Sequence, residues 1–263
     1  MSEAAPTKSV RHLLGLSGGK DSSALAIYLR DKVPNMEYFF ADTGAELPET
    51  LEYIDLLEDY LGKPIARLNA GKDFDYYLKY HNNFLPSARQ RWCTVNLKLV
   101  PFEEFVGDDQ AVSYIAIRAD EPSRSGYIST KKNITTRMPF REDGIGKEDV
   151  FTILEESGIG VPRYYSWRSR SGCYFCFFQQ QEEWAGLKRN HPELFEAAKT
   201  YERVDEKTGR LFTWNQAGPL DEVLRRSEES RDRPKKLLAK KMLIDVWSQD
   251  GDESDDACLI CMK

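Results

Sequence analysis

The sequence predicts an α/β fold in which helices cover both faces of a parallel sheet, and three observations carry this prediction. Apolar strand-like runs alternate with helix-period segments through the first half of the chain, a rhythm that yields parallel strands joined by crossover helices. A glycine turn, "LSGGKDSS", stands between the first strand and the first helix. At 263 residues the chain can bury one substantial core with a smaller appended region.

Leu13 to Leu16 is a short buried strand, and Leu25, Ile27, Tyr28 and Leu29 give the apolar pattern of the helix behind the turn. "MEYFFADTG", Met36 to Gly44, is a second strand ending in a polar turn. In "LPETLEYIDLLEDYLG" the apolar residues Leu51, Ile54, Leu57 and Leu61 have helical spacing, with Pro48 near the start and Gly62 just past the end. "PIARLNA" is a short third strand, "DFDYYLKYH" a helix, and "AVSYIAIRAD", Ala111 to Asp120, a later strand. Ligands of such sheets bind outside the carboxyl ends of the strands. The glycine loop, Asp42 and Arg118 all fall at such ends and are expected to converge.

From Glu121 to about Arg170 the periodicity fades and basic residues accumulate: Arg124, Lys131, Lys132, Arg137, Arg141, Arg163, Arg168 and Arg170. Taken one at a time, these residues read as a solvated, irregular excursion. Helical spacing returns in "EEWAGLKRNHPELFEAAKTY", broken at Pro192, with Trp184, Leu187, Leu194 and Phe195 as core. "RDRPKKLLAKKMLIDVW" reads as a last basic amphipathic helix, and "SQDGDESDDACLICMK" as an acidic tail. The expected organisation is a nucleotide-binding core over 1–120, the basic excursion and C-x-x-C region over 121–201 completing the same domain, and a helical extension with the tail over 202–263.

A net charge of −6 excludes a wholly basic nucleic-acid binder. "MSEAAPTKSVRH" lacks an apolar leader core and no window reaches the ~18 apolar residues of a membrane span, so a soluble, cytoplasmic protein is expected. Five cysteines in such a chain point to metal or redox chemistry and not to a disulfide framework.

The strand, glycine turn and helix start form an anion site, because free backbone N–H groups and the helix dipole point at one spot. It is not a Walker A loop: G-x-x-x-x-G-K-S/T is not matched, since Gly15 stands one residue too close to Gly19 and Asp21 occupies the hydroxyl position. Ser17, Gly18, Gly19, Ser22 and Ser23 offer donors at close range, and Lys20 adds a compact point charge. The bland alternative is a glycine turn capped by Asp or Ser. Asp21 reads equally as a ligand of phosphate-bridging Mg²⁺ or as a carboxylate favoured by the helix dipole.

The ordered set "SGGKDS", "ADTGAELPETLEYI", "RWCTVNLKLVPFEEF", "IAIRADEPSR" and "GCYFCFFQQQEEWAGLKRNHPELFE" resembles the PP-loop ATP pyrophosphatase superfamily, in its phosphoadenosine-phosphosulfate-reductase-like branch. The resemblance covers most of Leu13 to about Tyr201. It implies an adenine nucleotide alpha hydrolase-like, Rossmann-like sheet whose loop grips the β,γ-phosphates of ATP, which leave as pyrophosphate. It implies further that Asp42, Thr43 and Gly44 form the adenosine-side turn. Arg118 and Arg124 would then face the phosphates, alongside Lys20 and Asp21 as catalytic groups. For Arg118 the alternative is a buried structural salt bridge.

Cys173-x-x-Cys176 lies beside arginines, whose charge favours thiolates able to bite one metal. Cys93 stands where the family's iron–sulfur members place a cysteine, so the resemblance implies a [4Fe-4S] cluster on Cys93, Cys173 and Cys176. Zinc, or three buried free thiols, are the alternatives. Cys258-x-x-Cys261 departs from the Glu-Cys-Gly-Ile-His setting of reductase tails. The resemblance is closest in kind to the ATP pyrophosphatases of DNA phosphorothioation. It implies adenylation of an acceptor, DNA in preference to transfer RNA, with sulfur from a cysteine desulfurase partner. The basic excursion and a helix over Arg225 to Lys241 would supply phosphate contacts. A sulfonucleotide reductase, a transfer-RNA thiolation enzyme and a nucleotide-binding regulatory subunit are the other readings.

Overall fold

A computed structural model describes residues 9–126, 129–204, 209 and 211–232. In chain order the elements begin with β1 (Arg11–Leu16), α1 (Lys20–Leu29), β2 (Met36–Ala41), α2 (Pro48–Leu61), β3 (Ile65–Leu68) and α3 (Phe74–Tyr80). Next come α4 (Trp92–Thr94), a π-type segment (Val95–Leu99), α5 (Val100–Val106), β4 (Ala111–Tyr114) and β5 (Ile134–Arg137). There follow α6 (Pro139–Glu142), α7 (Lys147–Glu156) and a 3₁₀ turn (Arg163–Ser166). The last elements are α8 (Gln181–Asn190), α9 (Pro192–Lys199), the two-residue strands β6 (Arg203–Val204) and β7 (Leu211–Phe212), and α10 (Leu220–Asp232).

Five strands form one sheet in the order β3-β2-β1-β4-β5, and every pairing within it is parallel. β1 is central, with Leu14 level with Tyr38 on one side and Tyr114 on the other. Successive residues of a strand face opposite sides. Leu14, Leu16 and Phe40 accordingly pack under α1, α2 and α7, while Leu13, Phe39 and Ala41 pack under Phe102 and Val106 of α5. Both faces are covered, as buried parallel strands require. A third cluster gathers Phe74, Trp92, Phe175, Trp184, Phe195 and Trp214 at the side where the cysteines lie.

Local signals set the helix ends. Pro48 opens α2 and Gly62 closes it at φ 62°, its N–H reaching Glu58 and Asp59 carbonyls. Asp73 caps α3 by accepting from the Tyr76 N–H. The buried stripe of α2 runs Thr50, Tyr53, Ile54, Leu57 and Leu61. Leu51, expected in that stripe, is 39% exposed, because it lies one position round the helix.

Two expectations are corrected, the length of the strand from Ala111 and the irregular, solvated reading of the excursion. The strand expected over Ala111 to Asp120 pairs only as far as Tyr114. The Ile115 N–H still reaches the Arg137 carbonyl at 2.9 Å, but Pro139 then turns the neighbouring chain into α6 and the ladder ends. The excursion is not irregular: it supplies β5, α6 and α7, and Phe140, Val150 and Leu154 are fully buried in the main core. Nor is it solvated throughout, since Arg168 and Arg170 are buried. The last described helix begins at Leu220, ahead of the expected basic one, and its Arg225 and Arg226 already pair with Glu222. The rest of that expected helix, the acidic tail, Cys258 and Cys261 lie outside the described residues. Among the described residues no helix is long and apolar enough to cross a membrane.

If the excursion completes the core, Phe140→Ala should lower stability in chemical denaturation by about 3–5 kcal/mol. Leu51→Ala should fall within about 0.5 kcal/mol of wild type. Equal effects would return the excursion to the surface.

Candidate active site

β1 delivers the chain at Leu16 into the turn Ser17-Gly18-Gly19, and α1 starts at Lys20. Gly18 sits at φ +72°, and a Cβ there would come within 2.6 Å of the Thr50 methyl. A Cβ on Gly19 would meet Ser171 Oγ at 2.8 Å. The turn is held from above by residues some 145 positions away. Tyr164 Oη donates to the Gly18 carbonyl at 2.7 Å, the Lys20 N–H donates to Tyr165 Oη at 3.2 Å, and Ser171 Oγ donates to Ser17 Oγ at 3.2 Å. Ser22 Oγ accepts from the Ser17 N–H, and both Ser22 and Ser23 hydroxyls donate to the Gly19 carbonyl. Ser23 is therefore spent on the turn itself, fully buried.

The turn opens on a cleft lined by Ser17, Gly19, Lys20, Arg124, Arg170 and Ser171. Lys20 is buried, with Nζ 3.0 Å from Asp21 Oδ2. The other Asp21 oxygen accepts from Arg118 Nη1 at 3.0 Å. Burial alone would push the Asp21 carboxyl up, but Lys20 and Arg118 outweigh it and hold the group below the usual carboxylate range. Arg118 is 1% exposed and also meets Asp120 Oδ1 at 2.9 Å and Glu121 Oε1 at 3.5 Å. Desolvation opposes its charge, yet Asp21 and Glu121 raise its pKa further above the ordinary arginine value. Glu121 moves the other way from Asp21: burial pushes it up against the pull of Arg118 and Arg124. Thus Arg124 lines the cleft, while Arg118 lies in the ion-pair cluster behind Asp21.

Asp42 does not join this group. It accepts from the Gly44 N–H at 2.9 Å, closing a turn at the end of β2. Thr43 turns towards the cysteines instead: its Oγ1 donates to Glu46 Oε1 at 2.6 Å and lies 3.2 Å from Cys173 Sγ. Cys93, Cys173 and Cys176 share a second pocket with Thr43 and Lys98, walled by Phe74 and Phe175 to Phe178. The sequence places arginines beside these thiols, but the guanidiniums are committed elsewhere. Arg168 donates to the Gly172 and Cys173 carbonyls, and Arg170 rests on the Phe178 ring. Burial decides the thiols, pushing Cys93 up to about 11 and Cys173 up to about 12. Glu46 is likewise pushed up by burial. Burial opposes the Lys98 charge, but Cys173 and Glu46 more than offset it and raise its pKa. Among the described residues no three His, Cys, Asp or Glu side chains are arranged to hold a single metal ion.

One short segment connects the two cavities. Ser169 hangs from Glu183 at the start of α8 through its N–H and hydroxyl, both at 2.7 Å. Ser171 reaches the glycine turn, and two residues later Cys173 reaches Thr43. Tyr174 then donates its N–H to the Ala45 carbonyl at 2.8 Å. Sequence reading did not assign Tyr164, Tyr165, Ser171, Glu46 or Lys98 to the site. The only local sign was the run of polar and basic residues just before Cys173.

A parallel sheet with a glycine loop at its central strand end defines a nucleotide-utilising domain. Residues 11–139 match the phosphoadenosine phosphosulfate reductase domain family, a match that supports the phosphoadenosine-phosphosulfate-reductase-like branch of the PP-loop ATP pyrophosphatase superfamily. Two uncharacterized proteins of Methanocaldococcus jannaschii are similar to it. One is 29% identical over 197 residues, 70% of this chain and 40% of its own length. The other is 24% identical over 237 residues, 82% of this chain and 55% of its own length. The chain thus spans about half the length of these relatives. An uncharacterized 37.8 kDa protein of Escherichia phage 186 is 25% identical over 257 residues, 75% of this chain and 76% of its own length. A crystal structure of phosphoadenylyl-sulfate reductase from Candida auris in complex with phosphate superposes with a TM-score of 0.49 at 11% identity, covering 63% of this chain and 82% of that one.

The geometry separates Lys20 from Arg118. Lys20→Ala should weaken ATP binding in calorimetry by about 1.5–3 kcal/mol, the scale of a charge-assisted hydrogen bond. Gly19→Val should do the same by driving into Ser171. Arg118→Met should instead lower folding stability by about 3 kcal/mol, because Asp21 and Glu121 each lose one of the two cations that offset their burial. Unchanged stability in that variant would make Arg118 a ligand-facing group.

Proposed function

We propose that this chain is an ATP pyrophosphatase that adenylates a DNA backbone phosphate for sulfur insertion, with sulfur supplied by a cysteine desulfurase. The observation that carries the reading is the segment from Ser169 to Cys173, which puts one wall of the phosphate cleft and one wall of the cysteine cavity on the same five residues. An acceptor oxygen would attack the α-phosphorus of ATP, the bond to the β-phosphate would break, and pyrophosphate would leave. Sulfur carried as a persulfide would be released at the sulfide level by a thiol reductant, which ends as a disulfide. The sulfide would then attack the acceptor phosphorus and expel AMP.

The residues of the cleft suit the first step. Lys20, the N-terminal turn of α1, Arg124 and Arg170 are placed to balance charge on the departing pyrophosphate, chiefly an electrostatic task. Asp21 and Arg118 act behind Lys20: they fix its ammonium and keep the carboxylate ionised. Mg²⁺ would be held by the nucleotide's phosphates, with Asp21 the nearest carboxylate of the cleft. The cysteine cavity offers the donors a cluster needs: three thiols line it, and Lys98 can offset thiolate charge. A [4Fe-4S] cluster held by Cys93, Cys173 and Cys176 supplies, when bound, an iron with an open position for sulfide.

The family match also favours a second reading, reduction of a sulfonucleotide by a thiolate. That chemistry requires a nucleophilic thiol at the nucleotide. The described thiols line a separate cavity, where burial pushes Cys93 and Cys173 up, so the reductase reading falls to Cys258 or Cys261.

Two measurements decide. With ATP and DNA the protein should release pyrophosphate, and deletion of 257–263 should leave that rate within about threefold. Sulfite released from a sulfonucleotide would replace the proposal with the reductase. Anaerobically prepared protein should contain iron and acid-labile sulfide with a visible absorbance band, lost in Cys93→Ser, Cys173→Ser and Cys176→Ser. Stoichiometric zinc without iron would make the site a zinc site.

A further inference from the structure

The backbone donors of the glycine turn are already engaged by hydroxyl groups. The Gly19 N–H donates to Ser17 Oγ at 3.3 Å, and Ser17 Oγ accepts in turn from Ser171 Oγ at 3.2 Å. The Lys20 N–H, the first amide of α1, donates to Tyr165 Oη at 3.2 Å. Ser171 also fills the space that Gly19 leaves by having no side chain. Its Oγ lies 2.8 Å, and its Cβ 3.3 Å, from where a Cβ on Gly19 would stand. Glycine at that place lets a phosphate approach the backbone closely. Here the approach is taken by a serine from far downstream.

These contacts differ from the others that hold the strap 164–173 over the turn. Tyr164 Oη reaches the Gly18 carbonyl at 2.7 Å, and Ser169 meets Glu183 through two contacts of 2.7 Å. At the far end Arg168 Nη2 donates to the Cys173 carbonyl at 2.9 Å. The contacts on the Gly19 and Lys20 amides are neutral and, at 3.3 and 3.2 Å, longer than the usual N–H···O distance of about 3.0 Å. An amide bonded to a phosphate oxygen is charge-assisted and about twice as strong as a neutral pair. Gly172, beside Ser171, sits at φ +141°, where glycine moves freely. The strap is pinned at both ends and yields between them.

We infer that Tyr165 and Ser171 form a displaceable plug on the phosphate loop, which a pyrophosphate group pushes off before Gly19 and Lys20 can hold it. The inference rests on the reading of this loop as the pyrophosphate site, and it adds that the chain itself competes for the same donors. The plug keeps the turn in shape without an anion and lowers the affinity below what the donors alone would give. After the α-phosphorus has reacted, the same hydroxyls compete with the leaving pyrophosphate and favour its release. Tyr164 and Glu183 hold the strap close enough for the plug to return.

The test is calorimetry of the full chain with inorganic pyrophosphate, which reads the loop without acceptor or sulfur donor. Tyr165→Phe and Ser171→Ala each remove one hydroxyl with little change of shape. Each should tighten pyrophosphate binding about three- to tenfold, the range spanned by a competing neutral hydrogen bond. Ser166→Ala removes an exposed hydroxyl of the same strap, one that donates to the Arg163 carbonyl, and should leave the affinity unchanged. Weaker binding in Tyr165→Phe and Ser171→Ala would make these hydroxyls phosphate ligands and overturn the plug, as would unchanged binding. Equal tightening by Ser166→Ala would trace the gain to a loosened strap and overturn it too. In each of these cases the loop remains the pyrophosphate site. A folded wild type that binds no pyrophosphate overturns the reading of the loop and the plug together.

Discussion

The buried guanidinium of Arg118 is the charge on which the arrangement of the site depends. Taking that cation out of water is costly, and only carboxylates brought to it from several directions offset the loss. Asp21 comes from the first turn of α1, while Asp120 and Glu121 come from the chain beyond β4. Meeting these partners locks the start of α1 to the end of the β4 segment. The consequence is felt at Lys20: Asp21, already engaged by Arg118, holds the ammonium with its second oxygen. A flexible lysine thereby becomes a fixed point charge beside an N-terminal helix turn.

A second constraint is the return of the chain over the glycine turn. Gly18 and Gly19 leave room for approach, and that room is taken by Thr50 beneath and Ser171 above. Tyr164 and Tyr165 add hydrogen bonds to the backbone on either side of Gly19. The same return carries Cys173 to Thr43, at the end of β2. The cleft at the glycine turn and the cysteine cavity are thus neighbours through covalent chain, with Ser171 at one and Cys173, two residues on, at the other. Glu183 fixes the other end of this segment by accepting from Ser169 and from the Gln180 N–H.

Much of this was legible in the sequence where the cause is local. β1, the turn and α1 follow from an apolar run, two glycines and a helical apolar stripe. Pro48 and Gly62 mark α2 to the residue. The cysteines Cys93, Cys173 and Cys176, expected together, do share one cavity. What escaped reading depends on distance along the chain. β5 is four residues long, Ile134 to Arg137, and two of them are threonine, so its pattern is weak. Tyr164, Tyr165 and Ser171 acquire their roles only because folding sets them on a turn far upstream. Arg168 and Arg170 looked solvated because a run of arginines carries no sign of the carbonyls and rings that cover it. The thiol environment was misread for the same reason: charge adjacent in sequence was not charge adjacent in space.

The same distinction applies to the net charge of −6, which does not describe the cleft. At physiological ionic strength charges separated by more than about 8 Å in water are largely screened. The sum over the surface therefore says little about the field inside a cleft. Within the cleft Lys20, Arg124 and Arg170 converge, and the acids beside them are already consumed: Asp21 by Lys20 and Arg118, Glu121 by Arg118 and Arg124. Elsewhere the pairing is reversed. Arg225 and Arg226 are neutralised by Glu222, and Arg137 by Glu142. Pairing thus fixes the charge of each region separately, and the total over the chain does not describe the cleft.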